Sequence, residues 1–211
     1  MMGDRIDPKY RIIAGLIGAL GLAALATQVW VNAGRAGGLL VVLWGLAGFF
    51  TILTNTLVTG SMLLMALTGR RLSYDWMSML TVSMVAVAVV FHVVLADLFF
   101  PAGLRWYTNE AFHTVMPAAT VWFWLMETSR NPSRRGQPLR WLIWPALFGA
   151  YALTRGALTG WYPYPFLNVL HLGPASVAVN VAWLAAGFLA VSLLLHAIGQ
   201  RMPLRDQPSE R

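Results

Sequence analysis

The stretch from Ala175 to Ile198, ASVAVNVAWLAAGFLAVSLLLHAI, decides the fold class of this chain. Its 24 residues include no Asp, Glu, Lys or Arg. The hydrocarbon core of a bilayer is about 30 Å thick, and a helix needs about 20 mainly apolar residues to cross it. The stretch therefore predicts a membrane-spanning helix.

Five further apolar stretches precede it along the chain. They run from Ile12 to Val31, Leu39 to Leu67, Met77 to Phe99, Phe112 to Met126 and Trp141 to Leu153. The last two reach the length of a spanning helix only when flanking residues are included. Together with the stretch from Ala175 to Ile198, they predict six membrane-spanning helices.

The composition also indicates a membrane protein. Of the 211 residues, 58% are hydrophobic and 11% are charged, and the mean hydropathy is +0.62. These values are too apolar for a soluble domain of this length. We predict an all-α, polytopic membrane protein, a bundle of six transmembrane helices in one domain over residues 1–201, followed by a flexible cytoplasmic tail at 202–211. The stretch from Ile12 to Val31 follows a basic N-terminal segment, as in a signal peptide. Its apolar run continues to Val31, so we interpret it as an uncleaved span.

Lys and Arg side chains are divided unequally between the two ends of these stretches. Only Arg35, Arg105 and Arg155 lie at one side. Because loops rich in Lys and Arg stay in the cytoplasm, the opposite side, which includes both termini, is predicted to be cytoplasmic. We therefore attribute the net charge of +7 to the membrane topology. Nucleic-acid binding would require a soluble domain rich in basic residues, and the sequence contains none. The twelve residues of the basic side are Arg5, Lys9, Arg11, Arg70, Arg71, Arg130, Arg134, Arg135, Arg140, Arg201, Arg205 and Arg211.

Polar residues inside the apolar stretches are costly in hydrocarbon and therefore point to function. Thr51, Asn55 and Thr59 recur every four residues and share one helical face, with Thr54 beside them. Membrane threonines commonly bond their own preceding carbonyls. The Asn55 amide is harder to satisfy in this way, so we expect the stripe to face the bundle interior.

A histidine stands in the stretch NEAFHTVMPAATVWFWLME, residues 109–127. Asn109 lies one turn before His113, where its amide can bond the imidazole. Pro117 lies one turn after it and has no N–H, so we expect a free carbonyl at residue 113 and a kink. An apolar surrounding keeps a neutral imidazole available as a base.

Other polar residues lie at a similar depth. His92, Asp97, Arg155 and His171 all fall near the predicted outer ends of their stretches. Trp161, Tyr162 and Tyr164 are typical of an interfacial aromatic belt. We predict one polar cluster near the outer leaflet, open to lipid.

Several motifs occur in a fixed order between Phe49 and Trp183. They are FFTILTN at 49–55, NEAFHTVMP at 109–117, Glu127 in LME, and TGWYPYPFLNVLHLGP at 159–174. The chain resembles the six-span androgen-induced and androgen-dependent TFPI-regulating proteins, and more closely their bacterial relatives, the Pr-six-Pr family. The resemblance implies a bacterial cytoplasmic membrane as the location.

The animal members of this group are threonine hydrolases that cleave fatty-acid esters of hydroxy fatty acids. The resemblance implies catalytic roles for Thr51 and His113. An alignment on the preceding aromatic residues selects Thr51, whereas an alignment on the polar residue three places later selects Ile52, and Thr54 stays open as the nucleophile. Asn55, Asn109 or the outer-loop backbone can donate to the oxyanion. The supporting or substrate-binding residues expected are Thr54, Asn55, His92, Asn109, Glu127, Arg155, Tyr164 and His171.

Two other functional classes remain open. His92 and His113 could be axial haem ligands, or could form a metal site with His171 and Asp97. A lipid-binding protein or carrier is the other class, although the sequence shows no inverted repeat and no pair of broken helices. The absence of Cys excludes disulfides, iron–sulfur ligation and thiol chemistry.

The hydrolase interpretation requires no cofactor and no metal. Its partners are the lipid bilayer and a membrane lipid or lipid ester as substrate, without nucleic acid. The sequence leaves the oligomeric state undetermined.

Overall fold

The structure, a computed structural model, describes residues 2–34, 37–98, 100–127 and 136–202. Most of these residues are helical, which confirms the prediction of an all-α fold. Two π-helical turns, π1 (Phe91–Leu95) and π2 (Ala111–Val115), interrupt the helices, and 3₁₀ turns occur at Ala96–Leu98 and Pro165–Leu167. The α-helices are α1 (Pro8–Ala33), α2 (Leu39–Leu46), α3 (Phe50–Thr68), α4 (Tyr74–Val90), α5 (Leu104–Glu110), α6 (Met116–Glu127), α7 (Gln137–Arg140), α8 (Ile143–Thr159) and α9 (Val169–Arg201).

Four helices in the described part of the chain are long and apolar enough to cross a membrane. They are Pro8–Ala33, Phe50–Thr68, Tyr74–Leu98 and Val169–Arg201. They correspond to the first, second, third and sixth predicted stretches, so each of these four stretches forms a helix of sufficient length and apolar character to cross a membrane. The fourth stretch forms π2 with α6, and the fifth forms the 17-residue α8; neither is among the four.

The second predicted stretch differs from a single span. α2 ends at Leu46, and α3 begins at Phe50. At the break, a Cβ on Gly48 would lie 2.5 Å from the Trp161 ring and 2.6 Å from the Arg155 guanidinium. The break places the partly buried N-terminal end of α3 close to Trp161 and Arg155.

The last helix is also irregular. Gly173 has φ 75° and ψ 161° within α9, and Pro174 follows it. A positive φ is accessible to glycine at little cost because glycine has no Cβ. The gap between α2 and α3 is a second interruption of this kind. The expectation that the chain has no pair of broken helices is therefore wrong.

Small residues bring α1 and α3 together. A Cβ on Gly18 would lie 2.7 Å from the Leu63 side chain, and one on Gly21 would collide with Thr59 Oγ1. Close backbone approach through small residues is a common way for membrane helices to pack. This packing fixes α3 along most of its length.

Polar contacts hold the end of the bundle at which α3 and α6 finish. Arg71 Nε donates to Glu127 Oε1 at 2.7 Å, and the Glu127 side chain is only 1% exposed. Arg11 Nε donates to the carbonyl of Ala66 at 2.6 Å, at the end of α3. A short antiparallel sheet, which the sequence did not predict, pairs β1 (Met2–Arg5) with β2 (Arg70–Leu72).

Some sequence expectations fall outside the described residues. These are the positions of Arg35, Arg130, Arg134, Arg135, Arg205 and Arg211, the end of the third stretch at Phe99, and the tail from residue 203.

Candidate active site

Thr51 lies in the first turn of α3, directly after the helix break. The cap residue Phe49 makes no side-chain hydrogen bond to the helix start. Instead, the backbone N–H of Phe50 donates to the Tyr164 hydroxyl at 2.9 Å. Tyr164 therefore serves as the acceptor that a helix N-terminus requires.

This position distinguishes Thr51 from other threonines of the protein. A threonine inside a helix can donate its hydroxyl to the carbonyl four residues earlier. Residue 47 precedes α3, so Thr51 has no such helical acceptor within its own helix. Its Oγ1 lies 3.5 Å from His113 Nε2. The threonines that do bond the carbonyl four residues back are Thr56, Thr68, Thr81, Thr120 and Thr159.

His113 lies in the middle of π2, and its two ring nitrogens have different surroundings. Nδ1 is 2.9 Å from the backbone carbonyl of Asn109. A carbonyl only accepts hydrogen bonds, so Nδ1 carries the proton. In the neutral ring, Nε2 then keeps a free lone pair, which faces Thr51 Oγ1. This is the tautomer that a base for the Thr51 hydroxyl needs.

The contact with residue 109 differs in kind from the one expected. The backbone carbonyl of Asn109, rather than its side-chain amide, binds the imidazole. The Asn109 amide instead lies 3.5 Å from Glu110 Oε1. The π-helical turn brings this carbonyl and the ring together, a feature that side-chain periodicity does not reveal.

In the π register, Pro117 also affects the carbonyl of Phe112. The N–H of Met116 donates to the carbonyl of Ala111 in the π register. Pro117 has no N–H, so the carbonyl of Phe112 lacks the donor five residues ahead. Asn55 Nδ2 lies 3.4 Å from that carbonyl and donates to the carbonyl of Thr51 at 2.9 Å. Asn55 thus joins α3 to π2 beside the Thr51 and His113 pair.

The Tyr164 hydroxyl completes a directional chain of polar groups. It accepts from Phe50 N–H and also hydrogen-bonds the Thr51 side chain. Burial raises the pKa of Tyr164, so its hydroxyl keeps its proton. When the Thr51 proton turns to His113 Nε2, Thr51 Oγ1 can accept a hydrogen bond from Tyr164.

An apolar cavity of about 440 Å³ opens onto these groups. Only three of its lining residues carry polar side chains: Thr51, His113 and Tyr164. The remainder are contributed mainly by α4, α8 and α9. Such a cavity suits an acyl chain, with all of its polar chemistry at one place. The other lining residues are Phe50, Ala86, Val87, Val90, Phe91, Leu95, Leu142, Pro145, Ala146, Phe148, Gly149, Ala150, Leu153, Phe166, Leu167, Val181, Leu184, Ala185 and Phe188.

Thr54, the alternative nucleophile, has a different environment. It is fully buried, and its Oγ1 accepts a hydrogen bond from Trp144 Nε1 at 2.9 Å. It does not line the cavity. The geometry therefore favours Thr51 over Thr54.

His92 belongs to a neighbouring polar group rather than to the pair itself. Its Nε2 lies 3.2 Å from Thr114 Oγ1, and that hydroxyl donates to Glu110 Oε2 at 2.9 Å. This group is exposed. His92 lies near His113 but contacts neither Thr51 nor the cavity.

Arg155 acts on the helix break. Its guanidinium donates to the carbonyl of Trp44 at 2.8 Å, in the last turn of α2, and to the Tyr151 hydroxyl at 3.1 Å. The cation also lies 4.2 Å from the Trp44 ring centroid and 5.0 Å from that of Trp161. A cation at a helix C-terminus is favourable. Arg155 therefore helps to fix the position from which α3 starts.

Two expected supporting residues lie apart from the site. Glu127 is in the ion pair with Arg71 at the far end of α6. His171 is exposed at the start of α9, where its backbone N–H lies 3.3 Å from the Asn168 side chain. Neither lines the cavity.

The alternative metal interpretation gains no geometric support in the described residues. Within them, no three His, Asp or Glu side chains converge on a point that could hold a metal ion.

Sequence reasoning missed three contributors to the site. Phe91 stacks on His113, Phe50 offers its N–H to Tyr164, and the Phe112 carbonyl binds Asn55. Two of these contributions come from backbone groups, which every residue has, so the residue types in the sequence do not reveal them. Phe91 precedes His92 in an apolar run and looks like any other lipid-facing residue.

Comparison of the chain with protein-family models, with curated proteins and with solved structures gives no match.

Proposed function

We propose that this protein is an intramembrane threonine hydrolase that cleaves a lipid ester of the fatty-acid ester of hydroxy fatty acid type. Thr51 is the nucleophile and His113 is the base. The observation that carries the proposal is the 3.5 Å approach of Thr51 Oγ1 to the unprotonated Nε2 of His113, at the polar end of an apolar cavity.

The separation of 3.5 Å is longer than a formed hydrogen bond between a hydroxyl and a ring nitrogen. Catalytic pairs are commonly this far apart in free enzymes and tighten when substrate excludes water. No carbonyl four residues earlier within α3 competes for the Thr51 proton, because residue 47 precedes the helix. The pair is therefore poised for proton transfer once the cavity is filled.

The reaction proceeds in two halves. The Thr51 hydroxyl proton passes to His113 Nε2 as Oγ1 bonds to the ester carbonyl carbon. The tetrahedral intermediate collapses, the C–O bond to the alcohol breaks, and Nε2–H protonates the departing alkoxide. Water then attacks the acyl-threonine, giving its proton to Nε2. On collapse, that proton returns to Thr51 Oγ1, and the fatty acid leaves.

The membrane arrangement follows from charge and hydropathy. We propose six spans, in which π2 with α5 and α6, and α8 with its flanks, cross the membrane beside the four longer helices. Both termini are cytoplasmic, in the cytoplasmic membrane of a bacterium, and the site lies towards the outer leaflet. Reporters fused after Arg35, after Arg71 and at the C-terminus test this topology: an inside signal from the Arg35 fusion would contradict it.

A fluorophosphonate probe tests the chemistry. Such a probe phosphonylates an activated hydroxyl, and digestion with mass spectrometry identifies the labelled residue. We expect label on Thr51 in the purified protein and cleavage of a lipid ester by the same preparation. Label on Thr54 would move the nucleophile by one turn of α3.

The same preparation distinguishes a lipid-binding protein or carrier. The apolar cavity favours lipid binding in either case, so binding alone does not decide between them. Saturable binding of the ester without labelling or cleavage would leave a binding protein and remove the hydrolase.

A further inference from the structure

The chain of polar groups contains a hydroxyl that the two-residue mechanism does not use. Tyr164 Oη accepts from Phe50 N–H at 2.9 Å, beside the amide of Thr51. These are N–H groups of the first turn of α3, whose partial positive charge polarises the phenol. A hydroxyl that already accepts a hydrogen bond is a stronger donor through its own proton.

The side-chain amides expected to stabilise an oxyanion are occupied elsewhere. Asn55 Nδ2 contacts the carbonyls of Thr51 and Phe112, and the Asn109 amide lies beside Glu110. Neither residue lines the cavity. Among the cavity-lining side chains of the described residues, Tyr164 is the one that can donate a proton while Thr51 and His113 carry out the displacement.

The Tyr164 proton can be directed at the reacting atoms. When Thr51 Oγ1 gives its proton towards His113, it can receive that of Tyr164. When Oγ1 bonds to the carbonyl carbon, the negative charge develops on the carbonyl oxygen, two bonds from Oγ1, and that oxygen becomes the stronger acceptor. Rotation about the phenolic C–O bond is enough to turn the Tyr164 proton from Oγ1 to that oxygen.

We propose that the Tyr164 hydroxyl is the side-chain oxyanion donor of the site, acting on the carbonyl oxygen of an acyl group held in the cavity. The inference rests on the proposed hydrolase function. It makes Tyr164 a catalytic residue, whereas an aromatic-belt role would leave its hydroxyl dispensable.

The ring of Tyr164 is held independently of the hydroxyl. It stacks on Phe166 with centroids 5.2 Å apart and meets Phe49 edge to face at 6.2 Å. Tyr164→Phe therefore removes the donor while keeping the ring contacts. Tyr162→Phe is a matched control, because Tyr162 lies in the same connection and does not line the cavity.

The test compares an ester with its thionoester, in which sulfur replaces the carbonyl oxygen. Sulfur is a weak acceptor, so the wild-type protein should use its oxyanion donor mainly on the oxygen ester. We expect Tyr164→Phe to lower kcat for the oxygen ester by about 10²–10³-fold with little change in KM, which is typical for loss of one such donor. The ratio of oxygen-ester to thionoester rates should fall at least about tenfold. Tyr162→Phe should leave the ratio unchanged.

The ratio does not depend on the fraction of active protein, so a partly unfolded variant still gives a clear result. Equal losses on both esters, or a change in KM alone, would assign Tyr164 to positioning of α3 and overturn the proposal. The proposed function fails separately: in that case the wild-type protein neither cleaves nor labels, or Thr51→Ala retains cleavage.

Discussion

The ring of Phe91 stacks on the imidazole of His113, with centroids 3.9 Å apart and ring planes at 18°. Both residues lie in π-helical turns, Phe91 in π1 and His113 in π2. The stack covers one face of the imidazole, while the Asn109 carbonyl holds its Nδ1 edge. The remaining edge, with Nε2, is directed to Thr51.

Each π turn adds a residue to the helical register and shifts the positions that follow it. In π2, this shift leaves the Phe112 carbonyl free for Asn55 and places the Asn109 carbonyl against Nδ1. Single π turns of this kind are frequent at functional sites. Here they set the tautomer and the orientation of the base together.

The first prediction concerns the catalytic pair. Thr51→Ala and His113→Ala should each lower lipid-ester cleavage by at least about 10³-fold, because neither group works without the other. For the same reason, the double variant should be scarcely slower than either single variant. Initial rates on purified protein, normalised by thermal unfolding, give the measurement.

Thr54→Ala is the control for that series. It leaves Trp144 Nε1 without its acceptor and should cost about 1 kcal/mol of stability. Cleavage per folded molecule should stay close to wild type. Graded, additive losses of stability and activity across all these variants would indicate packing rather than catalysis.

The second prediction concerns pH. Protonation of His113 Nε2 removes the lone pair that accepts the Thr51 proton, so kcat/KM should fall on acidification as the imidazole protonates and level off at higher pH. His171→Asn should keep the same acid limb, since His171 is exposed and lies off the cavity. A rate profile without an acid limb at any pH at which the protein stays folded would remove His113 as the base.

The third prediction concerns acyl-chain length. Gly149 lines the cavity, and a Cβ there meets no atom within 4 Å. Gly149→Leu should fill part of the cavity and lower kcat/KM for long acyl chains by about tenfold or more, while short chains are spared. Gly187→Leu, on the exposed face of α9, also has open space at its Cβ and should leave the chain-length profile unchanged. Identical profiles for the two variants would place the acyl chain elsewhere.

The fourth prediction concerns the helix break. A Cβ at Gly48 would clash with Trp161 and Arg155, so Gly48→Ala should destabilise the protein by about 1–3 kcal/mol. The clash should also displace the start of α3, which carries Thr51, and so reduce cleavage. Gly45→Ala, three residues earlier in α2, meets open space and should change stability by less than about 0.5 kcal/mol. Thermal unfolding in detergent together with ester cleavage measures both effects. Equal behaviour of the two variants would argue against the close packing at the break.

The fifth prediction concerns Glu127. Its buried carboxylate pairs with Arg71, so Glu127→Gln should cost about 3–5 kcal/mol by leaving the arginine without its charge partner. Cleavage per folded molecule should be retained, because Glu127 lies away from the cavity. Arg71→Met with Glu127→Leu should recover much of the stability, as removal of a whole buried pair is often tolerated. A specific loss of kcat in the folded single variant would return Glu127 to the site.

The sequence by itself determined which segments are apolar enough to span a membrane and where their polar residues fall. The run Ala175 to Ile198 and the recurrence of Thr51, Asn55 and Thr59 are local properties, fixed by hydrophobicity and by the 3.6-residue helical period. That local signal also singled out His113, since a histidine in such a segment is costly.

Only the tertiary structure decided how those residues meet. No proline marks the break between α2 and α3; it is held by Arg155, which comes more than a hundred residues later. Tyr164 reaches the start of α3 across a similar distance in sequence. The Asn55 amide binds the backbone carbonyl of Phe112, and His113 Nδ1 binds that of Asn109; whether these carbonyls are available depends on the π register. Periodicity cannot specify such contacts, because their energy comes from packing between helices rather than from any one helix.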